Sequence, residues 1–180
     1  MKDLLCKLSF YEVWLFQEVD HCKICLSLVK QRIKDNYIQN WNGESSNMSR
    51  GHVYNPISCF QYQPYLDILT IDKFRISLTK IRVSSHRLTI ETGRWENPNV
   101  IPYNERLCKE CNTVEDVYHC VCECSLYVDL RCKYIPAFYR LRPNMFKFIE
   151  LLRTVNTYTL TRLSTFIFKA FEIRNAYNYT

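Results

Sequence analysis

Four side chains in one short window have the types and spacing to close around a metal ion: Cys108-x2-Cys111-x7-His119-x4-Cys124. A structural zinc accepts three thiolates and one imidazole as a closed tetrahedron. Lys109 and Glu110 form a tight turn that aims the first two sulfurs at one point, so the other pair must arrive from a second segment. Protein fills all four positions, leaving no place for an activated water, so one structural, non-catalytic zinc is the expected cofactor. Three thiolates and a divalent ion carry one net negative charge, which Arg106, Lys109, Arg131 and Lys133 are expected to outweigh on the finger's surface. The competing account is a run of small buried thiols without metal. Four ligand types at a workable spacing speak against it.

The elements that must position these ligands follow from periodicity. Val117–Cys122 reads as a short strand pairing back on Arg106–Cys111, with 112–116 as the connection. Alternation then turns Cys120 and Cys122 away from His119. Cys124 ends the strand, and Ser125 is placed to cap a helix beginning at Leu126. Elsewhere, apolar residues recur at helical spacing over 2–19 (Leu4, Leu8, Tyr11, Leu15), over 21–41 (Cys22, Leu26, Val29, Ile33, Tyr37) and over 62–85 (Phe74, Leu78, Ile81). Met145, Phe148 and Leu152 mark a short helix, and Leu160, Leu163, Ile167, Ala170 and Arg174 a longer one. Asn42–Asn47 reads as a loop, and 86–104, with Gly93, Pro98 and Pro102, as an ordered loop. The expected fold is mostly α, with a zinc-stabilised β-hairpin and helix. Its expected divisions are an N-terminal helical hairpin (1–42), a linker with basic helix and ordered loop (43–104), the finger (105–134) and C-terminal helices (135–180).

Composition agrees with a packed helical protein: 180 residues, 47% hydrophobic, with 13 Tyr and 10 Phe against only 3 Gly. A formal charge of +6 permits an anionic partner without demanding one. No run of apolar residues is long enough for a membrane span, and Met1 to Val19 lacks the clean apolar region of a secretory signal. Clustered cysteines are therefore expected to hold metal in an intracellular, reducing setting, nuclear or cytoplasmic. His21-Cys22-Lys23-Ile24-Cys25 lacks a second ligand pair, and Cys22 is expected on the buried face of its helix.

The ligand spacing, set in these flanks, resembles the C-terminal cysteine-rich domain of non-LTR (LINE-type) retrotransposon reverse transcriptases. Retroviral nucleocapsid knuckles share the ligands but keep four residues before the histidine. Upstream, Ser84-Ser85-His86 and Ile90-Glu91-Thr92-Gly93-Arg94 are similar to the stretch preceding the finger in invertebrate members. Glu115, Tyr118-His119 and Cys124…Leu126-Tyr127…Leu130-Arg131 match in order. The likeness runs from about residue 26 and is specific over 72–134. Members commonly have Pro where this chain has Ser125. Such enzymes also hold two metals with an aromatic-x-Asp-Asp motif, and this sequence contains no Asp-Asp pair. An endonuclease domain has no room here either. The resemblance thus implies a template-handling tail of an RNA-directed DNA polymerase without a catalytic centre, with 1–42 as a thumb or connection remnant.

Residues that could meet RNA, or single-stranded or duplex DNA, are Lys73, Arg75, Lys80, Arg82, His86, Arg87, Arg94 and Lys109. From Ile71 to Arg94 six basic residues stand against two acidic ones, and Trp95 and Tyr103 could stack on bases. By composition alone a solvated helix face is the better account of these charges. The resemblance is what turns the reading toward non-catalytic nucleic-acid binding. The alternative is a zinc-scaffolded protein-interaction module that docks a partner on its aromatic C-terminal helices.

Overall fold

The computed structural model describes residues 2–18, 21–48, 51–57, 60–96 and 99–178, with backbone only at 51, 52 and 178. Two compact units emerge, Met1–Met48 and Ser49–Thr180. The fold is mostly α, as expected. No strand forms among the described residues. The expected hairpin is reduced to one antiparallel bridge between Leu107 and Val114.

In the first unit, α1 (Lys2–Lys7), α2 (Tyr11–Phe16) and α3 (Cys22–Asn47) follow one another. The single helix expected over 2–19 is broken at Ser9, whose φ of 65° is left-handed, and Val19 lies outside the described residues. Across the break the Phe10 N–H donates to the Leu5 carbonyl at 2.8 Å. Polar composition misled the reading of 42–47, which continues α3 and forms no loop. Ser45 and Ser46 donate their hydroxyls to the Asn42 carbonyl at 3.1 and 2.7 Å, satisfying the helix they were expected to end. No residue of α3 is buried, and Cys22 is exposed where a buried position was expected.

The second unit holds α4 (Gly51–Ile57), α5 (Tyr65–Ile68), α6 (Asp72–Arg82), α7 (Thr89–Thr92), α8 (Val128–Tyr134), α9 (Ala137–Arg140), α10 (Met145–Arg153) and α11 (Thr157–Asn178). The expected 62–85 helix is thus two pieces. The longer starts at Asp72, where a carboxylate in the first turn favours the positive end of the helix. Part of the expected 86–104 loop is helical, as α7 and a 3-10 turn at Tyr103–Glu105. Pro98 lies outside the described residues.

Helix α11 packs across α6 and α8. Leu160, Leu163, Phe166, Ile167 and Ala170 form its buried stripe, against Leu78 and Ile81 of α6 in the same core. Phe74 adds an edge-to-face contact with Phe168 at 5.6 Å. Gly93 is fixed by crowding: a Cβ there would lie 2.9 Å from both Arg106 Cγ and the Thr89 carbonyl oxygen. No helix among the described residues is long and apolar enough to cross a membrane.

Two of the buried polar groups, Arg174 and His86, are tied electrostatically to Glu115. Arg174 of α11 donates Nε and Nη2 to Glu115 Oε1 and Oε2 at 2.6 and 2.7 Å. Oε2 also accepts from the Thr89 N–H at 2.6 Å. Burial alone would lower the Arg174 pKa, but the Glu115 carboxylate outweighs it and holds the guanidinium above its ordinary value. Removing one partner strands a buried charge, so Arg174→Met is expected to cost about 3–5 kcal/mol in urea denaturation.

His86 is the second such group. Burial first, then the nearby Arg174 cation, depress its pKa from 6.5 to about 4, with Glu115 opposing weakly. A folded-state pKa below the unfolded one contributes stability that is complete above pH 6.5 and is lost as pH falls toward 4. The loss should approach about 3 kcal/mol. Ligand protonation at the metal site adds its own acid dependence, so the measurement is the difference in slope between wild type and His86→Gln. The variant should show the shallower loss.

Candidate metal centre

The ligand atoms of Cys108, Cys111, His119 and Cys124 all lie within 4.8 Å of one another. Cys124 Sγ sits 3.8 Å from both Cys108 Sγ and Cys111 Sγ. That separation is the edge of a tetrahedron whose metal–sulfur bonds are about 2.3 Å.

The first ligand pair rides on a short knuckle. The Cys108 N–H donates to the Thr113 carbonyl at 2.7 Å, and the Asn112 N–H returns to the Cys108 carbonyl at 2.8 Å. Asn112 closes the turn at φ 53°, a left-handed conformation that asparagine tolerates. The reversal therefore falls at 108–113, around the expected Lys109–Glu110 turn, and meets the expected 112–116 connection only at its start.

The second pair rides on a helical turn where a strand was expected. Asp116 starts it by accepting the His119 N–H at 2.7 Å, three residues on, as a side-chain cap does. The turn then widens: His119–Glu123 is π-helical, and the Cys124 N–H donates to the His119 carbonyl at 2.8 Å. This extra residue per turn brings His119 and Cys124 together across four intervening residues. Helical spacing, and not strand alternation, carries Cys120 and Cys122 off into the core. Burial raises both thiols, Cys122 to about 12, which suits inert core groups.

The donor set fits a metal. His119 Nε2 is buried with no hydrogen-bond partner, while Nδ1 lies 3.2 Å from the Thr113 hydroxyl. That division leaves Nε2 as the ligand atom and Thr113 as the group that fixes the ring. Ser125 does not cap the following helix. Its hydroxyl lies 3.2 Å from Cys111 Sγ and its N–H donates to that sulfur at 3.4 Å. Desolvation pushes the Cys111 thiol up, but the Ser125 hydrogen bonds and neighbouring thiols outweigh it and lower the pKa. Burial, with the adjacent sulfurs, raises Cys124 to about 12.

Arginine holds the backbone of the site. Arg131 donates to the Val121 carbonyl at 2.9 Å and to the Cys124 carbonyl at 2.7 Å, and Arg106 to the Ile101 and Ile90 carbonyls at 2.9 and 3.0 Å. Both are buried, so the cationic surface expected from four residues rests on Lys109 and Lys133. Sequence reasoning missed Thr113, Asp116, Ser125 and Glu115 as supports of the site. The one local signal for them is Asp116 standing three residues before His119.

The eight basic residues considered for nucleic acid divide by placement. Arg82 is buried, donates to the Leu152 carbonyl and to Gln63 Oε1, and stacks 4.2 Å from the Tyr65 ring centre. His86 is buried too. Arg75 pairs with Asp72, and Arg94 Nε lies 3.4 Å from Glu91 Oε2. Lys73 Nζ lies 5.0 Å over Phe168. Lys80, Arg87 and Lys109 are exposed and line two cavities of about 310 and 330 Å³ that share Arg87, Arg174 and Asn175.

No family model matches the chain, and searches of curated proteins and of solved structures found none similar. The class defined here is a mostly helical protein with a Cys3His cluster able to hold a metal ion.

Loss of a ligand should release that metal. Cys108→Ser and His119→Ala are each expected to abolish stoichiometric metal in reduced, purified protein by elemental analysis. Substitution of the wild type with cobalt should give the intense visible bands of tetrahedral thiolate coordination, absent from both variants.

Proposed function

We propose that the chain is a non-catalytic nucleic-acid-binding module whose finger is held in shape by one structural zinc. Zinc is the metal this donor set favours: three soft thiolates, one imidazole and a tetrahedral edge length, with no position left for water. The reading extends the resemblance to the tail of a LINE-type reverse transcriptase, acting on RNA or DNA inside the cell.

The observation that carries it is the convergence of Lys80, Arg87 and Lys109 on adjoining cavities. They come from α6, the following loop and the finger turn, so folding gathers cations that the sequence scatters. Exposed rings of Trp95 and Tyr103 supply stacking faces of the kind single strands use.

The test is fluorescence anisotropy with a single-stranded RNA and its DNA counterpart across a salt series. Affinity should fall steeply with salt, and Lys80→Gln/Arg87→Gln/Lys109→Gln should reduce the log–log slope by about 0.7 for each phosphate no longer neutralised. An unchanged slope in the triple variant, or no binding at low salt, would overturn the reading.

A further inference from the structure

From Leu130 to Ile149 the chain carries Arg131, Lys133, Arg140, Arg142 and Lys147 and no carboxylate. Arg131 is spent inside the finger, which leaves four cations at or near the surface. Amid them stand three large apolar side chains that the core does not use: Phe138, Leu141 and Phe146, the last 74% exposed. Helix α10 buries Phe148, Leu151 and Leu152 on its other side, so Phe146 faces water.

This corner is built in advance. Asn144 caps α10 by accepting the Lys147 N–H at 2.9 Å. Lys147 Nζ donates to the Leu141 carbonyl at 2.9 Å and sits 4.9 Å over the Phe138 ring. Phe138 stands edge-on to Tyr139 at 5.0 Å. The nearest carboxylate in sequence, Glu150, is engaged by the Tyr139 hydroxyl. An apolar centre with aromatic anchors and a cationic rim is the anatomy of a protein-binding patch.

We propose that the corner from Ala137 to Lys147 docks an acidic, amphipathic peptide segment of a partner protein. Charge complementarity sets the sign of the partner, because the rim offers cations and the segment has no acid of its own. The apolar centre sets its kind. Leu141 has no π face for a base, whereas leucine or phenylalanine side chains of a peptide bury it. A bilayer would call for a long apolar helix face, and α10 turns its own inward. This inference is independent of the nucleic-acid reading, since none of its residues lines the Arg87 cavities.

The probe is a fluorescent helical peptide with Leu at i, i+3, i+4 and i+7 flanked by Glu, beside a version with Lys for every Glu. Titrated with the zinc-loaded 180-residue chain, the acidic peptide should bind and the basic one should not. Phe146→Ser should weaken binding by about tenfold or more. Arg142→Glu should weaken it and flatten its salt dependence. Both side chains are exposed, so zinc content and circular dichroism should stay unchanged. The proposal fails if the two peptides bind alike, if neither binds below about 1 mM, or if Phe146→Ser has no effect. It also fails if single-stranded RNA or phosphatidylserine vesicles, and not the acidic peptide, show the Phe146-dependent binding.

Discussion

The second unit turns on the carboxylate of Glu115. Its side chain meets the α11 guanidinium and the amide that opens α7, while its carbonyl accepts the Ile90 N–H at 3.2 Å. Three segments far apart in sequence therefore share one buried anion. The metal ligands close a loop of local chain, but nothing in them dictates where that loop sits against the helices. Glu115 does. It follows directly on the Leu107–Val114 bridge, so the knuckle cannot shift without breaking the ion pair. Metal affinity in a folding-coupled site can be large, about 10–16 kcal/mol in small finger peptides. Binding of an ion would order the finger in this way, while the ion pair aligns it.

Chemistry was easier to read from this sequence than shape. The ligands were legible because thiols and imidazole at turn-compatible spacing have few other uses. The helices α10 and α11 were legible because each buries a stripe at a period of 3.6. The turn carrying His119 was not. Val117 to Cys122 is short and apolar, a length at which strand and helix patterns are indistinguishable, and Asp116 supplies the deciding hydrogen bond from outside the apolar run. At the end of α3, polar residues beside Gly43 look like a loop, yet the Ser45 and Ser46 hydroxyls bond backward into the helix.

Charge was the least legible property. Arg82, Arg106 and Arg131 all read as surface cations, and all are buried, as is Arg174. Arginine does this more readily than lysine because its planar fork satisfies several carbonyls at once. The partners lie as far away as Leu152 from Arg82 or Glu115 from Arg174, beyond any local pattern. A count of basic residues thus overstates the electropositive surface here. What remains outside is smaller and better grouped, on one side around Arg87 and on another around Arg142.

The distance between the finger and its anchor along the chain also orders events during synthesis. The last ligand, Cys124, leaves the ribosome 50 residues before Arg174. Tyr177, whose hydroxyl donates to Glu110 in the finger turn, follows later still. All four candidate ligands are therefore in the chain before Arg174, the partner of Glu115, has been added. Docking of α11 then brings Arg174 onto Glu115 and Tyr177 onto Glu110, and fixes the finger turn against the helices.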